Sequence, residues 1–153
     1  MEVAGDQVGD VLTAGATGKQ IRRWVNAKVP GSSLAVLTDA PASDQPGIYY
    51  NLSAGEIVYV TMFCYGLTTA SDNCTFELVA CSAVAGGGTA IPLTPKYYVA
   101  SGAAIAGHLQ QHMMVAGAPI AIPYSAAALS ITIRVNANDG STAITCGWMG
   151  YSK

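Results

Sequence analysis

The stretch Leu129-Ser130-Ile131-Thr132-Ile133-Arg134-Val135-Asn136 decides the fold. Apolar side chains occupy every second position with polar ones between them, which is typical of a β-strand with one face on a core. Asn138-Asp139-Gly140 follows, and Asp-Gly is a strong signal for a tight hairpin turn. A second β-type run, Thr142–Tyr151, then reaches almost to the end of the sequence. The C-terminal part therefore predicts an antiparallel hairpin.

Runs of the same type precede this hairpin along most of the chain. Glu56–Tyr65 alternates with largely apolar residues on both faces, as in a strand that is buried on two sides. Polar residues 66–73 separate it from Cys74–Ser82, a further alternating run. About eight such runs, spaced by roughly 8–12 residues with turn residues between them, are typical of a β-sandwich or barrel. We predict an all-β fold, a jelly-roll β-sandwich of about eight antiparallel strands.

The N-terminal residues 1–32 differ from the rest of the chain. They lack clear period-2 alternation and combine several glycines with charges of both signs. Such a segment predicts an extended N-terminal arm, followed by a sandwich domain over residues 33–153. Within the arm, Gln20–Ala27 can form a short helical turn. One face of that turn would carry Ile21, Trp24 and Val25, which favours docking on the domain itself or on a neighbouring molecule.

Composition limits the kind of partner. Charged residues make up only 10% of the 153 residues, against about 25% in a typical soluble domain. Part of the apolar surface is therefore expected to meet other subunits, in a homo-oligomer or a larger assembly. The net charge of −2 argues against nucleic acid as a partner, because a nucleic-acid binder needs a basic face. No apolar run approaches the ~20 residues that cross a bilayer, so no membrane partner is expected.

The start of the sequence and the cysteines indicate the compartment. The acidic start Met1–Asp6 has no hydrophobic stretch, so we expect no secretory leader and a product that stays in the cytoplasm where it is made. Reduced thiols are then expected for the four cysteines. They form no C-x-x-C pair and lie far from His108 and His112. We therefore expect no metal site and no cofactor. The four are Cys64, Cys74, Cys81 and Cys146.

Three features are candidates for catalysis, and each has a simpler explanation. His108 and His112 would lie about 13 Å apart along a strand, too far to share one ion. Gly86-Gly87-Gly88 lacks the Lys-Ser/Thr and the helix of a phosphate loop. Glu56 and Glu77 could form a glycosidase pair across a sheet, but solvent-facing strand positions explain them more simply. No nucleophile motif is present, so we expect no enzyme and no catalytic residues.

Eight tyrosines and two tryptophans supply most of the aromatic content. Tyrosine-rich β surfaces with small polar neighbours bind proteins or glycans well. The candidates for exposed binding aromatics are Tyr97, Tyr98, Trp148 and Tyr151.

The arm, the strand run Asn51–Val60 and the closing hairpin Ser130–Tyr151, in a chain with few charges, resemble one known class. This class is the small jelly-roll decoration, or cement, proteins of tailed double-stranded DNA phages. The resemblance implies a homotrimer that binds the major capsid protein on the outside of the virion and stabilises the capsid, after synthesis in the host cytoplasm. Arm residues would make the contact: Ile21, Trp24 and Val25 as apolar anchors, Arg22 and Arg23 as partners of capsid carboxylates.

Two alternatives remain open. A carbohydrate- or receptor-binding head, such as a tail-fibre tip or a lectin-like module, would bind a glycan through exposed tyrosines and Trp148. A single-jelly-roll major capsid protein also fits the size, but its nucleic-acid-binding arm should be more basic than this one.

Overall fold

The computed structural model describes residues 19–28, 35–36, 48–67, 73–100, 110–113, 119–137 and 143–153. Within these ranges the only helical element is a single 3₁₀ turn, Val84–Gly86. No helix in the described part is long and apolar enough to cross a membrane. The strands are β1 (Gln20–Lys28), β2 (Ala35–Val36), β3 (Tyr50–Asn51), β4 (Ile57–Leu67), β5 (Cys74–Cys81), β6 (Ala90–Pro92), β7 (Tyr97–Val99), β8 (Gln110–Met113), β9 (Ile120–Pro123), β10 (Ser130–Ala137) and β11 (Ala143–Ser152).

These strands form two sheets in which every pairing is antiparallel. Sheet A contains β1, β11 and β4 in that order, and both β8 and β9 pair with the far side of β4. In sheet B, β2 and β3 pair with one side of β10, β5 lies on its other side, and β6 and β7 pair with the far side of β5. The two strands of each pair β2/β3, β6/β7 and β8/β9 lie one after the other along the same neighbouring strand. Each pair therefore forms one row of its sheet.

The order of these rows defines the architecture. Numbered along the chain, the rows run 1-8-3-6 in sheet A and 2-7-4-5 in sheet B. First and last rows are thus neighbours, as are the second and seventh, the third and sixth, and the fourth and fifth. The chain is therefore one long antiparallel hairpin of strands that is rolled into two facing sheets, which is the jelly-roll arrangement. The prediction of an all-β jelly-roll sandwich is confirmed.

The core lies between the two sheets and explains the alternation in the sequence. Ile131, Ile133 and Val135 of β10 are fully buried, as are Phe63 of β4 and Trp148 of β11. Large side chains from both sheets interdigitate here, and burying each of them contributes about 1.5–3 kcal/mol. Most of the stability of the sandwich therefore comes from the inward positions of β4, β5, β10 and β11.

The secondary structure expected within the N-terminal arm requires a correction. The prediction of a helical turn at Gln20–Ala27 is wrong, because these residues belong to β1, which pairs with β11 along its full length. Side chains follow the period of a strand, with Ile21 buried while Arg22 and Trp24 are exposed. Backbone hydrogen bonds to β11 stabilise the strand, and no local sequence signal predicts them. Part of the predicted arm thus lies in sheet A, and its other residues, 1–18 and 29–32, lie outside the described residues.

The polar positions of sheet B differ from the expectation of a solvent-facing surface. Ser130 and Thr132 are fully buried, although they alternate with the core residues of β10. The Ser130 hydroxyl donates to the Ala83 carbonyl (2.7 Å) and accepts from the Gly86 N–H (3.0 Å). The segment around the 3₁₀ turn therefore covers this end of the sheet and satisfies the buried hydroxyl, as buried polar groups require.

Candidate functional site

A groove of about 330 Å³ lies on sheet A where β1, β11 and β4 run side by side. Apolar and sulfur-containing side chains predominate in its lining, with one guanidinium at the rim. The groove, named the sheet A groove, has as its principal side chains Arg22, Trp24, Met62, Cys64, Thr145 and Met149, and Gly147 lies between them.

Gly147 is the reason that the groove exists. It pairs with Trp24 on one side and with Cys64 on the other. A Cβ at this position would lie 2.6 Å from the Arg23 carbonyl oxygen and 2.9 Å from the Trp24 Cβ. Only glycine therefore allows β1 to approach β11 this closely. The missing side chain also leaves the space between the Trp24 and Cys64 side chains open.

Trp24 and Arg22 form the exposed part of the groove. The Trp24 side chain keeps 37% of its surface exposed, which is unusual for a residue of this size. The Arg22 guanidinium carbon lies 5.8 Å from the centre of the indole, within the range of a cation–π contact. Exposed tryptophan and arginine beside methionines are the residue types that dominate binding energy at protein interfaces.

The thiol and thioethers provide a soft, apolar floor. The Cys64 thiol donates to the Gly147 carbonyl at 3.4 Å. Burial raises the pKa of Cys64, and the contact with Gly147 offsets only part of this effect. The residue is therefore held as a thiol, the less nucleophilic form. Met62 and Met149 are flexible and adapt to the shape of a bound group. All four cysteines of the chain are free.

The five predicted arm residues have different environments. Arg22 and Trp24 meet at the groove. Ile21 is buried in the core, and Arg23 donates from Nε to the Tyr49 carbonyl at 3.1 Å. Val25 belongs to β1, but its side chain lies outside the described residues. The structure thus brings two of the five residues to one exposed site.

The four predicted surface aromatics also differ in their exposure. Tyr98 is 59% exposed, whereas Tyr97 is half-buried and packs against the core. Tyr151 is half-buried and stacks on Tyr59 with 5.0 Å between ring centres. The prediction of Trp148 as a surface aromatic is wrong. Its side chain is fully buried, because β11 turns it towards the core, where its indole N–H donates to the Ile48 carbonyl at 2.8 Å.

The two candidate carboxylates have separate structural partners. Glu77 is buried, not solvent-facing, and one of its oxygens accepts from Nε and Nη2 of Arg134 at 2.8 and 2.5 Å. Glu56 accepts from the Tyr50 hydroxyl at 2.6 Å and from the Ser53 N–H at 2.8 Å. Burial alone would raise the pKa of Glu56, but hydrogen bonds from Tyr50, Ser53 and Ser152 outweigh it and lower the pKa.

The histidine and metal candidates are only partly described. His112 lies in β8, but its side chain is outside the described residues, and so is the whole of His108. Within the described ranges no group of three or more His, Cys, Asp or Glu side chains is placed to hold a metal ion.

Comparison with known proteins adds likenesses of shape. No known family matches the sequence, and no curated protein matches it either. Among solved structures, the CBM22-1 xylan-binding domain of Xyn10C from Paenibacillus barcinonensis is similar, with 10% identity, 84% of each chain covered and a TM-score of 0.41.

A chain in the structure of infectious bursal disease virus, Gx strain, is also similar, at 12% identity and a TM-score of 0.39. The match covers 88% of this chain but only 31% of the viral one. The CBM22-1–GH10 modules of Xyn10B from Clostridium thermocellum match at 10% identity and a TM-score of 0.35, over 84% of this chain and 25% of that one. At these scores and identities the likenesses carry no argument about function.

Proposed function

We propose that this chain is a virion structural protein that decorates the outside of a phage capsid, where it binds the major capsid protein as a homotrimer and stabilises the particle. The observation that carries the proposal is the sheet A groove, in which the exposed Trp24 and Arg22 lie beside Met62 and Met149. A charged content of only 10% adds support, because so little charge favours burial of surface in an assembly.

The groove suits a modest contact that is repeated. Truncating a buried interface tryptophan typically costs about 2 kcal/mol or more of binding energy. A trimer would present three copies of the groove to a capsid surface. After the first contact, the others form at a high effective concentration, so individually weak sites add up to stable attachment. Arg22, which is exposed, would pair with a capsid carboxylate.

The test is binding to particles that lack this protein. Wild type should cosediment with such particles at a capsid-like copy number, and light scattering should give the mass of a trimer. The Trp24→Ala variant should bind at least about 30-fold more weakly, which corresponds to about 2 kcal/mol. Tyr98→Ala is the matched control, because Tyr98 is more exposed but belongs to sheet B. Equal binding by Trp24→Ala and wild type would contradict the groove as the contact, and a monomer would contradict the trimer.

A second candidate is a carbohydrate- or receptor-binding head. The observation that favours it is the same indole, since an exposed tryptophan ring flanked by Arg22 and the Thr145 hydroxyl is also a platform on which a sugar ring can stack. A glycan array separates the two functions. Glycan binding that Trp24→Ala abolishes, together with a tail-like copy number on particles, would favour the head over the decoration protein.

A further inference from the structure

β1 offers one side of its backbone to a further strand. Among the described strands it pairs only with β11. The Ser152 N–H donates to the Lys19 carbonyl at 2.9 Å, so the odd-numbered positions of this segment face β11. By the alternation of an antiparallel pair, the N–H and C=O groups of Gln20, Arg22 and Trp24 point the other way. The side chains of these three residues are exposed. A strand edge of this kind is a template for pairing with another chain.

This edge is strongly basic in an otherwise acidic chain. Four of the seven basic residues lie in the ten positions from 19 to 28, and no acidic residue lies there. The other positions contain all nine acidic residues and only three basic ones. Within the described part of the chain, the ion pair is that of Glu77 with Arg134, both in sheet B. No described carboxylate therefore forms an ion pair with Arg22 or Arg23.

The sign of the charge selects the occupant. Cationic side chains commonly protect edge strands from unwanted pairing. Basic residues oppose pairing with a second basic strand. A second copy that paired through its own β1 would place like charges opposite each other, which is destabilising. An acidic strand would meet opposite charges instead. The Arg23 Nη1 donates to the Arg22 carbonyl at 3.1 Å, and an incoming N–H would replace that bond.

We propose that the edge of β1 that faces away from β11, which no described strand covers, binds an extended, acidic segment of a partner protein as an additional strand of sheet A. Main-chain hydrogen bonds would supply affinity, and contacts with Arg22 and Trp24 would supply specificity. The inference deepens the proposed function and rests on it for the identity of the partner. On a capsid, the occupant would be an acidic extended segment of the major capsid protein.

The test uses the full-length chain and three ten-residue peptides. The first alternates Glu with Val and Thr, and the second has Lys in place of each Glu. The third is the acidic peptide N-methylated at consecutive residues, so that neither of its two edges can pair as a strand. Amide hydrogen exchange followed by NMR reports the contact. The acidic peptide should protect the amides of Gln20, Arg22 and Trp24. Ile21 and Arg23, already paired with β11, should change little. The other two peptides should bind at least about tenfold more weakly, because one removes the charge attraction and the other the backbone bonds.

A charge reversal locates the site. Arg22→Glu should weaken binding of the acidic peptide about tenfold, whereas Lys96→Glu, an equal change at an exposed position between β6 and β7, should leave it unchanged. Equal effects of the two variants would show a general charge effect and overturn the proposal. So would equal binding of the acidic and N-methylated peptides, because attraction would then need no strand pairing.

Two other occupants are distinguishable. Residues 1–18 carry three acidic residues and no basic one, so they are a competitor within the chain. If the outward amides of β1 were protected without peptide and lost that protection in a Glu2→Gln, Asp6→Asn, Asp10→Asn variant, the chain's own segment would be the occupant and the proposal would be wrong. Protection that rises with protein concentration would identify a second copy as the occupant, and it would likewise overturn the proposal. Peptide binding that persists while Trp24→Ala binds particles normally would overturn only the proposed function.

Discussion

Replacing Gly147 by alanine tests both the place of β1 in the sandwich and the origin of the sheet A groove. The new Cβ would lie 2.6 Å from the Arg23 carbonyl oxygen, whereas ordinary van der Waals contact begins at 3.4 Å. It would also lie 2.9 Å from the Trp24 Cβ. Neither atom is at the end of a flexible side chain, so β1 itself must move by most of an ångström. Overpacking of this kind costs about 1–3 kcal/mol.

The loss of stability should be concentrated in β1, because the three heavy atoms nearest to the new Cβ all belong to Arg23 and Trp24. We expect Gly147→Ala to lower the free energy of unfolding in urea by about 2 kcal/mol, or the melting temperature by roughly 4–8 °C. Hydrogen exchange should show the amides of β1 opening, while those of β5 and β10 in sheet B keep their protection. Particle binding through Trp24 should fall as well.

Gly87→Ala is the matched control, since a Cβ there would come no closer than 3.3 Å to its neighbours and lies far from β1 in the sequence. It should cost less than about 1 kcal/mol. If Gly147→Ala were as stable as Gly87→Ala and β1 kept its amide protection, the close approach of β1 and β11 would be refuted, and the explanation of the groove with it.

The remaining predictions concern the buried polar groups. Trp148→Phe should lower the free energy of unfolding by about 2–3 kcal/mol, because it leaves a buried carbonyl without its donor and removes core volume. Glu77→Ala should cost about 3–5 kcal/mol, since it leaves Arg134 largely buried without its partner; the double variant Glu77→Leu, Arg134→Met should cost less than the single one in the same urea titration. Burial raises the pKa of the Cys146 thiol well above its ordinary value. The unfolded chain therefore loses this proton first, so the contribution of Cys146 to stability is complete below about pH 8.5 and is lost as the pH rises. Cys146→Ala should flatten the alkaline fall of the unfolding free energy. The pKa of Glu56 is lowered, so its contribution is present above its ordinary pKa and is lost as the pH falls, and Glu56→Gln should flatten the acid side of the same curve.

Local pattern was sufficient for the class of fold. Alternation in residues 129–136 requires only that side chains of a strand point to opposite faces, and turn residues mark where each strand ends. The strands β4, β5, β10 and β11 and the all-β jelly roll could therefore be predicted without any knowledge of contacts. The predicted C-terminal hairpin is wrong, because β10 pairs within sheet B and β11 within sheet A, so the chain crosses between the sheets after β10. Trp24 and Arg22 were also found by sequence, as an apolar and a cationic side chain in a segment that did not fit the rest.

Position in the sheets could not be read in this way. The residues of Gln20–Lys28 are visibly apolar and basic, but β1 is a strand because β11, more than a hundred residues later, supplies its backbone partners. Trp148 and Glu77 lie in alternating runs whose two faces are both largely apolar or mixed, so alternation separates the faces without saying which is covered. These features follow from the packing of the two sheets. Burial, ion pairing and the close approach at Gly147 depend on which distant strand lies alongside, and that is a property of the whole packed chain.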